Sequence, residues 1–340
     1  MIAIHNNPSE VLFHYRWIDY CEKNNIPYRL VNCYDDDIVE QLSGCSGLMW
    51  HYHQAGFKDI VMAKPLLFAL EQSGLKVFPD FNTAWHFDDK VGQKYLFEAL
   101  KIDLATTWVF YDKEEAIKWA DRSDYPKVFK LRGGAGSQNV KLVRSVSAAH
   151  SLINQAFGKG FPAYDAWGSV KERIRKWRLG KTNAFDVLKG FVRLINTPRY
   201  AKVMGNEIDY IYFQEFIPNN DCDIRIIVID GKAFALKRMV RENDFRASGS
   251  GDFRYEREAF DPRCVSLSFE YTHKLKAQCV AYDYVFDQDN TPRLVEISYG
   301  FANKVYDPCT GYWDEQMNWH EGPFNPYGWM VELMLKETSI

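Results

Sequence analysis

The sequence predicts an α/β protein in which a small parallel sheet is followed by two α+β lobes. Over the first hundred residues, short apolar strands alternate with helices, as in a parallel sheet with helices on its faces. From Trp85 the pattern changes, and a glycine-rich turn and long strands joined by turns follow. The chain has 340 residues, which is too many for one small core, so two or three lobes are expected.

The first region is expected to hold four strands, at residues 2–4, 28–31, 47–50 and 77–79. The helices between them are expected at residues 9–25, 38–42 and 61–72. Beyond residue 85, helices are predicted at 87–100, 113–119 and 147–157, and strands at 105–111, 127–131 and 140–143.

The last region is expected to contain strands at 210–217, 224–229, 234–240, 281–286 and 293–297, with helices at 266–279 and 325–335. We therefore expect three domains, 1–85, 86–208 and 209–340. Residues 161–208 form an insertion in the second domain, because this segment is rich in Lys and Arg and has few acidic residues.

The composition is that of an ordinary globular protein, with 46% hydrophobic and 26% charged residues. The net charge of −3 gives no reason to expect nucleic acid as a partner. The seven cysteines are scattered and form no CxxC pair, so reduced thiols are expected rather than a zinc site. No signal peptide or membrane-spanning run is recognisable, and a cytoplasmic location is expected.

A lysine and a glycine-rich turn form the first candidate motif. Lys130 ends an apolar strand, and residues 133–137 read Gly-Gly-Ala-Gly-Ser. Glycine lets backbone N–H groups approach a phosphate closely, and a lysine adds a point charge for the same phosphate. A hairpin whose turn merely needs glycine is an equally good interpretation of this motif alone.

The second motif is Gln214-Glu215-Phe216-Ile217, followed by Asp223 and Arg225. A strand that stops at Ile217 leaves backbone N–H and C=O groups free to pair with an adenine edge. A plain strand end is the favoured alternative for this motif taken alone.

Two carboxylates form the third motif. Asp283 and Glu296 lie on apolar strands joined by a tight turn, so antiparallel pairing can bring both to one face. Burying two carboxylates is costly unless a positive charge lies between them, and magnesium on nucleotide phosphates is the usual one. The alternative is a pair of solvated carboxylates.

A fourth motif combines arginines with a second glycine-rich loop. Arg238, Arg241 and Arg246 precede Ser248-Gly249-Ser250-Gly251. Guanidinium groups there suit a developing phosphoryl charge, whereas the alternative is a solvated basic loop.

The order of these motifs resembles that of the ATP-grasp superfamily, and most closely its glutathione synthetase and ribosomal-protein glutamate ligase branch. The likeness covers roughly residues 85–300, and the region before it resembles the Rossmann-like domain that precedes the ATP-grasp lobes. This resemblance implies two lobes that hold ATP with Mg²⁺, and amide formation through an acyl phosphate.

The resemblance also implies residue roles. The ATP-binding residues would be Lys90, Lys130, Gly134, Gly136, Ser137, Gln138, Gln214, Glu215, Phe216, Ile217 and Asp223. The transferred phosphate or the acyl phosphate would be held by Arg225, Arg238 and Arg246. The magnesium ligands would be Asp283, Glu296 and Ser298.

One of these positions departs from the family pattern. The family has Glu-x-Asn, whereas this chain has Glu296-Ile297-Ser298, and a hydroxyl is a weaker magnesium ligand than an amide carbonyl. Of the two Mg²⁺ ions expected, the second is therefore in doubt.

Three further features bear on the substrates. His51 and His53 follow the third strand, at the end of a parallel sheet where ligands bind, although surface histidines would explain them as well. The aromatic C-terminal region is expected to line the acceptor side, with about half of its rings in the core. The basic insertion could meet anionic lipid or an anionic glycan, against the default of a solvated helical face.

We therefore expect an ADP-forming carboxylate–amine ligase that takes small-molecule substrates. An amino acid joined to a uronic acid or glycan precursor, as in polysaccharide biosynthesis, fits the aromatic and basic features, and a peptide-like ligase fits nearly as well. The alternatives are a small-molecule kinase of the same fold and a nucleotide-binding module with little catalysis.

Overall fold

The computed structural model describes residues 1–9, 12–134, 139–178, 180, 182–241 and 244–336, and begins with a parallel sheet. Its strands are β1 (Ile2–His5), β2 (Tyr28–Val31), β3 (Gly47–Met49) and β4 (Lys76–Phe78). They pair in the order β2-β1-β3-β4, and every pair is parallel. The helices of this region are α1 (His14–Lys23), α2 (Ile38–Gln41), α3 (Phe57–Gln72) and α4 (Phe81–Ala84). The predicted small parallel sheet with helices on its faces is confirmed.

The second unit is built on a four-stranded antiparallel sheet. Its elements are α5 (Lys90–Leu100), β5 (Thr107–Phe110), α6 (Lys113–Arg122), β6 (Lys127–Lys130), β7 (Lys141–Val143) and α7 (Val146–Ala156). Buried faces of α6 and α7 cover this sheet through Ala116, Ala120 and Ile153.

The basic segment forms a helical insertion with a closed base. It comprises β8 (Phe161–Pro162), α8 (Ala166–Arg178), α9 (Ala184–Ile195), α10 (Arg199–Met204) and β9 (Asn206–Glu207). Because β8 pairs with β9, the chain enters and leaves the insertion at one point.

The strand after the insertion corrects the sequence-based assignment. β10 (Ile211–Glu215) was expected in the last lobe, but it lies between β5 and β6, in the order β5-β10-β6-β7. Ile211 and Phe213 are buried with Phe129 and the residues of α6 and α7, so the strand completes the core of the second unit. The boundary at residue 208 therefore does not coincide with the edge of this sheet.

The third unit is a seven-stranded antiparallel sheet. Its elements are β11 (Cys222–Ile229), β12 (Lys232–Met239), β13 (Phe253–Arg254), α11 (Pro262–Leu275), β14 (Cys279–Phe286), β15 (Pro292–Ser298), β16 (Gly311–Asp314) and β17 (Trp319–Glu321). The order is β15-β14-β11-β12-β16-β17, and β13 pairs with β12.

Both faces of this large sheet are buried. On one face, α5 and α11 pack through Phe97 and Phe269 against Ile226 and Leu294. On the other face, Ile227 and Phe234 join a cluster that includes Trp17 of α1 and the closing helix α12 (Pro326–Leu335). The third unit is thereby fixed to both of the others.

Part of the aromatic C-terminal region belongs to this packing, as expected for about half of its rings. The eight residues considered are Tyr299, Tyr306, Tyr312, Trp313, Trp319, His320, Tyr327 and Trp329. Five of them are buried in the hydrophobic core: Tyr299, Tyr306, Trp313, Tyr327 and Trp329. Burial of large rings stabilises the junction between the units, since each aromatic side chain buries a large apolar area.

Substitution of Met330 by Ala should destabilise this junction. Met330 is fully buried in α12, and its Sδ accepts a hydrogen bond of 3.3 Å from Trp17 Nε1. We expect Met330→Ala to lower the free energy of unfolding by about 2–5 kcal/mol in urea denaturation, because it leaves a cavity. The control is Leu335→Ala in the same helix, since Leu335 is 44% exposed. Equal losses in the two variants would contradict the assigned packing.

Candidate active site

A cavity of about 500 Å³ opens where the three units meet. Every predicted site residue in the described part of the chain lines it: Lys90, Lys130, Gly134, Gln214, Glu215, Phe216, Ile217, Asp223, Arg225, Arg238, Arg246, Asp283, Glu296 and Ser298. The predicted residues Gly136, Ser137 and Gln138 lie outside the described residues. Residues spread over two hundred positions of sequence thus share one cavity.

Two lysines and one glutamate stand on one side of the cavity. Lys90 Nζ lies 3.2 Å from Glu296 Oε1 and donates a hydrogen bond of 3.0 Å to the Gly134 carbonyl oxygen. Burial alone would lower the pKa of Lys90, but the charges of Glu296 and Asp88 outweigh it and raise the pKa above its ordinary value. Lys90 is therefore protonated at neutral pH and places a positive charge beside the start of the glycine-rich loop.

Lys130 has the opposite electrostatic balance. It is buried at the end of β6, and its Nζ donates a hydrogen bond of 3.3 Å to the Val295 carbonyl oxygen. Burial lowers its pKa to about 8, although the charge of Glu296 acts the other way. Because the neighbouring Lys90 also lowers this pKa, Lys130 lacks a full counterion and is suited to receive an anion.

Glu296 is the carboxylate that these two lysines share. Burial would raise its pKa, but Lys90 and Lys130 outweigh burial, and the pKa lies below its ordinary value. Glu296 is accordingly ionised at neutral pH.

Where β10 ends, the chain crosses from the second unit to the third. The ladder stops at Glu215, whose N–H donates to the Thr106 carbonyl oxygen at 2.8 Å. Phe216 and Ile217 follow along the cavity wall, outside the strand. Asn220 holds the segment in place, because its side-chain amide exchanges hydrogen bonds of 2.9 and 2.8 Å with the backbone of Phe286. Backbone groups beyond a strand end can pair with a planar base edge.

A buried network of four charges forms the floor of the cavity. Cross-strand register sets Asp223 opposite Arg238 and Arg225 opposite Asp283. Arg225 binds both oxygens of Asp283, at 2.5 and 2.6 Å, and Arg238 binds both oxygens of Asp223 at 2.6 Å. Arg238 Nη2 also lies 2.8 Å from Asp283 Oδ2 and links the two pairs.

The network fixes the protonation of its members. Burial alone would raise the pKa of Asp283, but Arg225 and Arg238 outweigh it and hold the pKa below its ordinary range. For Asp223, burial is the largest influence and the pKa is raised in spite of Arg238. The arginines predicted to hold phosphate are thus bound to two of the predicted acidic ligands in this structure.

The donor set fits magnesium that arrives with phosphates. Asp283 and Glu296 are direct partners across β14 and β15, and Ser298 follows on the same strand. Among the described residues, no cluster of three or more His, Cys, Asp or Glu side chains could hold a metal by itself. Magnesium usually takes one or two carboxylates and completes its shell with phosphate oxygens and water, which suits this pair.

The Arg246 loop closes the cavity from the other side. Arg246 is fixed by its neighbour Asp244, with Nη2 and Oδ2 2.6 Å apart. Arg241 supports the loop by donating from Nε to the Ser248 carbonyl oxygen at 2.7 Å, and it contacts Glu172 of α8 at 3.4 Å. Arg241 therefore positions this loop, and its contact with Glu172 links the loop to α8 of the insertion.

Sequence reasoning missed Asp88. Its Oδ1 accepts a hydrogen bond of 2.8 Å from Gly134 N, so it orients the start of the glycine-rich loop. Burial raises its pKa to about 6, although Lys90 acts the other way. The sequence predicted only a helix over residues 87–100 here, and no local pattern indicated the left-handed backbone of Asp88, where φ is 56°.

Two histidines line the end of the cavity that faces the parallel sheet. His51 Nδ1 accepts a hydrogen bond of 3.0 Å from Phe13 N, and His53 Nδ1 accepts one of 3.1 Å from Ala55 N. Burial is the largest influence on both pKa values and lowers them. Each ring is therefore neutral at pH 7, with its remaining proton on Nε2.

The fold that holds this cavity is the ATP-grasp fold. The RimK domain ATP-grasp protein of Sphaerobacter thermophilus superposes with a TM-score of 0.57 at 13% identity, over 99% of this chain and 100% of that one. The biotin carboxylase domain of the Hydrogenobacter thermophilus 2-oxoglutarate carboxylase, solved with MgADP, ADP and bicarbonate, gives a TM-score of 0.58 at 11% identity. The latter match covers 99% of this chain and 70% of that one.

Sequence comparison leads to the same class. Residues 192–306 match the model of the RimK-like ATP-grasp domain. The alpha-aminoadipate–LysW ligase LysX of Saccharolobus solfataricus is 24% identical over 183 residues, which are 53% of this chain and 50% of that protein. The chain thus spans about half the length of this curated relative. The predicted resemblance to the ATP-grasp ligases is confirmed.

The depressed pKa of Lys130 predicts how nucleotide binding depends on pH. A phosphate favours the protonated lysine, so affinity is full below pH 8 and is lost as the pH rises through 8. With a pKa of about 8 the protonated fraction falls about tenfold from pH 7 to pH 9. We expect up to this loss in ADP affinity by calorimetry. Lys130→Arg stays charged and should flatten the profile. An unchanged slope in that variant would show that another group is responsible.

Proposed function

We propose that this protein is an ADP-forming carboxylate–amine ligase that works through an acyl phosphate. The observation that carries the proposal is the convergence, in one cavity, of two buried lysines, two in-register carboxylates and a row of arginines. These side chains can bind a nucleoside triphosphate and stabilise the charge on the phosphoryl group during its transfer. The ATP-grasp fold and the RimK-like match support it.

The first chemical step would be attack of a substrate carboxylate oxygen on the γ-phosphorus of ATP, which breaks the bond to the β-γ bridging oxygen and releases ADP. Lys90 and Lys130 would hold the phosphates, and the backbone at Phe216 and Ile217 would hold adenine. Bound magnesium would polarise the phosphoryl oxygens, and Asp283 and Glu296 would be its protein ligands, with Ser298 as a third at most. The product is a mixed anhydride of the carboxylate and phosphate.

In the second step an amine would attack the carbonyl carbon of the acyl phosphate, and phosphate would leave. Arg225 and Arg238 are at the cavity floor, where they could hold the acyl phosphate, and Arg246 lies on the loop above. The Nε2–H groups of His51 and His53 would donate hydrogen bonds to a polar acceptor substrate. Because each Nδ1 accepts a backbone N–H and each Nε2 carries a proton, neither ring has a free lone pair, so we assign both to positioning. The proton of the attacking amine would pass to the leaving phosphate or to water.

For the substrates we propose small molecules, with an amino acid and a uronic acid or glycan precursor as the preferred pair. The neutral imidazole donors and the aromatic rings of Phe87 and Phe301 in the cavity wall suit a hydroxyl-bearing ring. A peptide-like acceptor fits nearly as well, because the same donors suit a peptide carbonyl.

A small-molecule kinase of the same fold is the second candidate. It would use the same lysines, arginines and carboxylates to form ADP without an amine and without a trappable acyl phosphate. A nucleotide-binding module with little catalysis is the third candidate, and the observation that favours it is Ser298, where the family pattern has an asparagine.

Removing the charge of Glu296 should uncouple magnesium from nucleotide binding. We expect Glu296→Gln to abolish the increase in ADP affinity that magnesium brings to the wild type, measured by titration with and without the ion. Glu98→Gln is the control, since Glu98 is an exposed residue of α5 paired with Lys94. Retained magnesium dependence in Glu296→Gln would remove this carboxylate from the metal site.

Trapping with hydroxylamine should separate the three candidate functions. We expect ADP and a hydroxamate when the protein is given ATP, magnesium, hydroxylamine and a panel of amino acids and uronic acids, because hydroxylamine intercepts acyl phosphates. Arg225→Lys should lower hydroxamate formation strongly, since lysine cannot make the bidentate contact. ADP without hydroxamate would favour the kinase, and nucleotide binding without turnover across the panel would favour the binding module.

A further inference from the structure

The insertion carries an apolar surface that the proposed catalysis does not use. Four exposed residues of α9 form it: Phe185 (63% exposed), Leu188 (57%), Val192 (57%) and Ile195 (93%). We call these residues the α9 surface. None of them lines the main cavity.

The spacing of these residues places them on one side of the helix. They are separated by three, four and three positions, which is the repeat of a single helical face. The opposite side of α9 packs on α8, where the buried Gly190 allows close approach to Arg173 and Val170. Contacts with α8 thus hold the inner side of α9 in place within the described structure. The apolar residues on its outer side do not contribute to that packing.

Positive charge surrounds the α9 surface. A shallow groove beside it, between α9 and α10, is lined by Phe185, Leu188, Lys189, Val192, Arg193, Asn196, Thr197, Pro198, Arg199 and Lys202. Four of these residues are basic and none is acidic, although the whole chain has a net charge of −3. Pairing of this surface with a second copy of itself would bring like charges together, so charge complementarity favours an anionic partner.

We propose that the α9 surface binds the interface of an anionic lipid bilayer. A helix with an apolar stripe and a basic rim lies in the plane of the headgroups, with its apolar side chains below and its cations against lipid phosphates. α9 has 12 residues and is about 18 Å long, which is too short to cross a bilayer. Among the described residues, no helix is long and apolar enough to cross one. The lipid contact would therefore be peripheral.

The test is co-sedimentation of the full chain with vesicles of phosphatidylcholine alone or mixed with phosphatidylglycerol. We expect binding to the mixed vesicles only, and weaker binding as salt is raised. Neutralising Lys189 and Arg193 by Gln should each weaken binding about fivefold. Val192→Asp should weaken it at least tenfold, because it buries a carboxylate among apolar side chains and anionic lipids.

The matched control is Val61→Asp in the second turn of α3, where the valine is 61% exposed and the helix has no comparable exposed apolar stripe. This variant should bind vesicles as the wild type does. Equal effects of Val192→Asp and Val61→Asp, no binding to mixed vesicles, or equal binding to both kinds of vesicle would overturn the proposal. Binding to polyglutamate without vesicle binding would assign the surface to an acidic protein. Sedimentation as a dimer that Val192→Asp dissociates, without vesicle binding, would assign it to a second copy.

Vesicle binding requires neither nucleotide nor turnover, so this proposal does not rest on the proposed ligase activity. If the protein binds anionic vesicles but forms no hydroxamate, the lipid-binding proposal is supported and the ligase proposal is not. If the protein forms a hydroxamate but does not bind anionic vesicles, the ligase proposal is supported and the lipid-binding proposal is rejected.

Discussion

Mutual compensation of buried charges is the constraint on which the candidate site depends. Lys90, Lys130, Arg225 and Arg238 are buried or nearly so, and together they face Glu296, Asp283 and Asp223. An isolated charge in such a place would cost several kcal/mol. The cations can stay charged because each carboxylate is shared between neighbours. The site is therefore an arrangement that must be kept whole, since loss of one partner leaves another charge buried and unpaired.

This network can exist only because two sheets and the helix α5 meet around it. β14 and β15 bring Asp283 and Glu296 together, β11 and β12 bring the arginines beside them, and β6 adds Lys130 from another sheet. Lys90 comes from α5, which packs on β15 through the core of the third unit. The hydrophobic clusters therefore hold the charged groups at fixed distances, and the favourable burial of apolar area offsets the cost of burying the charges.

The sequence predicted which residues share the cavity better than it predicted the packing of the elements. Lys130, Asp283 and Glu296 were recognisable because each is a charge inside or at the end of an apolar strand, where a structural residue would be apolar. The position of β10 was not predictable in this way, because Ile211 and Phe213 would suit the core of either lobe. Five of the C-terminal aromatic residues are buried in the core, in line with the expectation for about half of them, but the sequence did not show which ones. Long-range pairing decides such cases, and a local pattern does not contain it.

The charge balance of the whole candidate site also bears on how a nucleotide could bind there. Four cations and three carboxylates leave the cluster only weakly positive, and Arg225 and Arg238 are occupied by Asp283 and Asp223. A triphosphate brings several negative charges, so these cations cannot neutralise it while they remain bound to carboxylates. In the proposed ligase, a divalent cation that arrives with the phosphates would ease this conflict, because it would offer Asp283 a new partner and free Arg225 for a phosphate oxygen, while Arg238 keeps its pair with Asp223. On the proposed function, the Arg225–Asp283 ion pair would therefore be exchanged for contacts with magnesium and phosphate when the nucleotide binds.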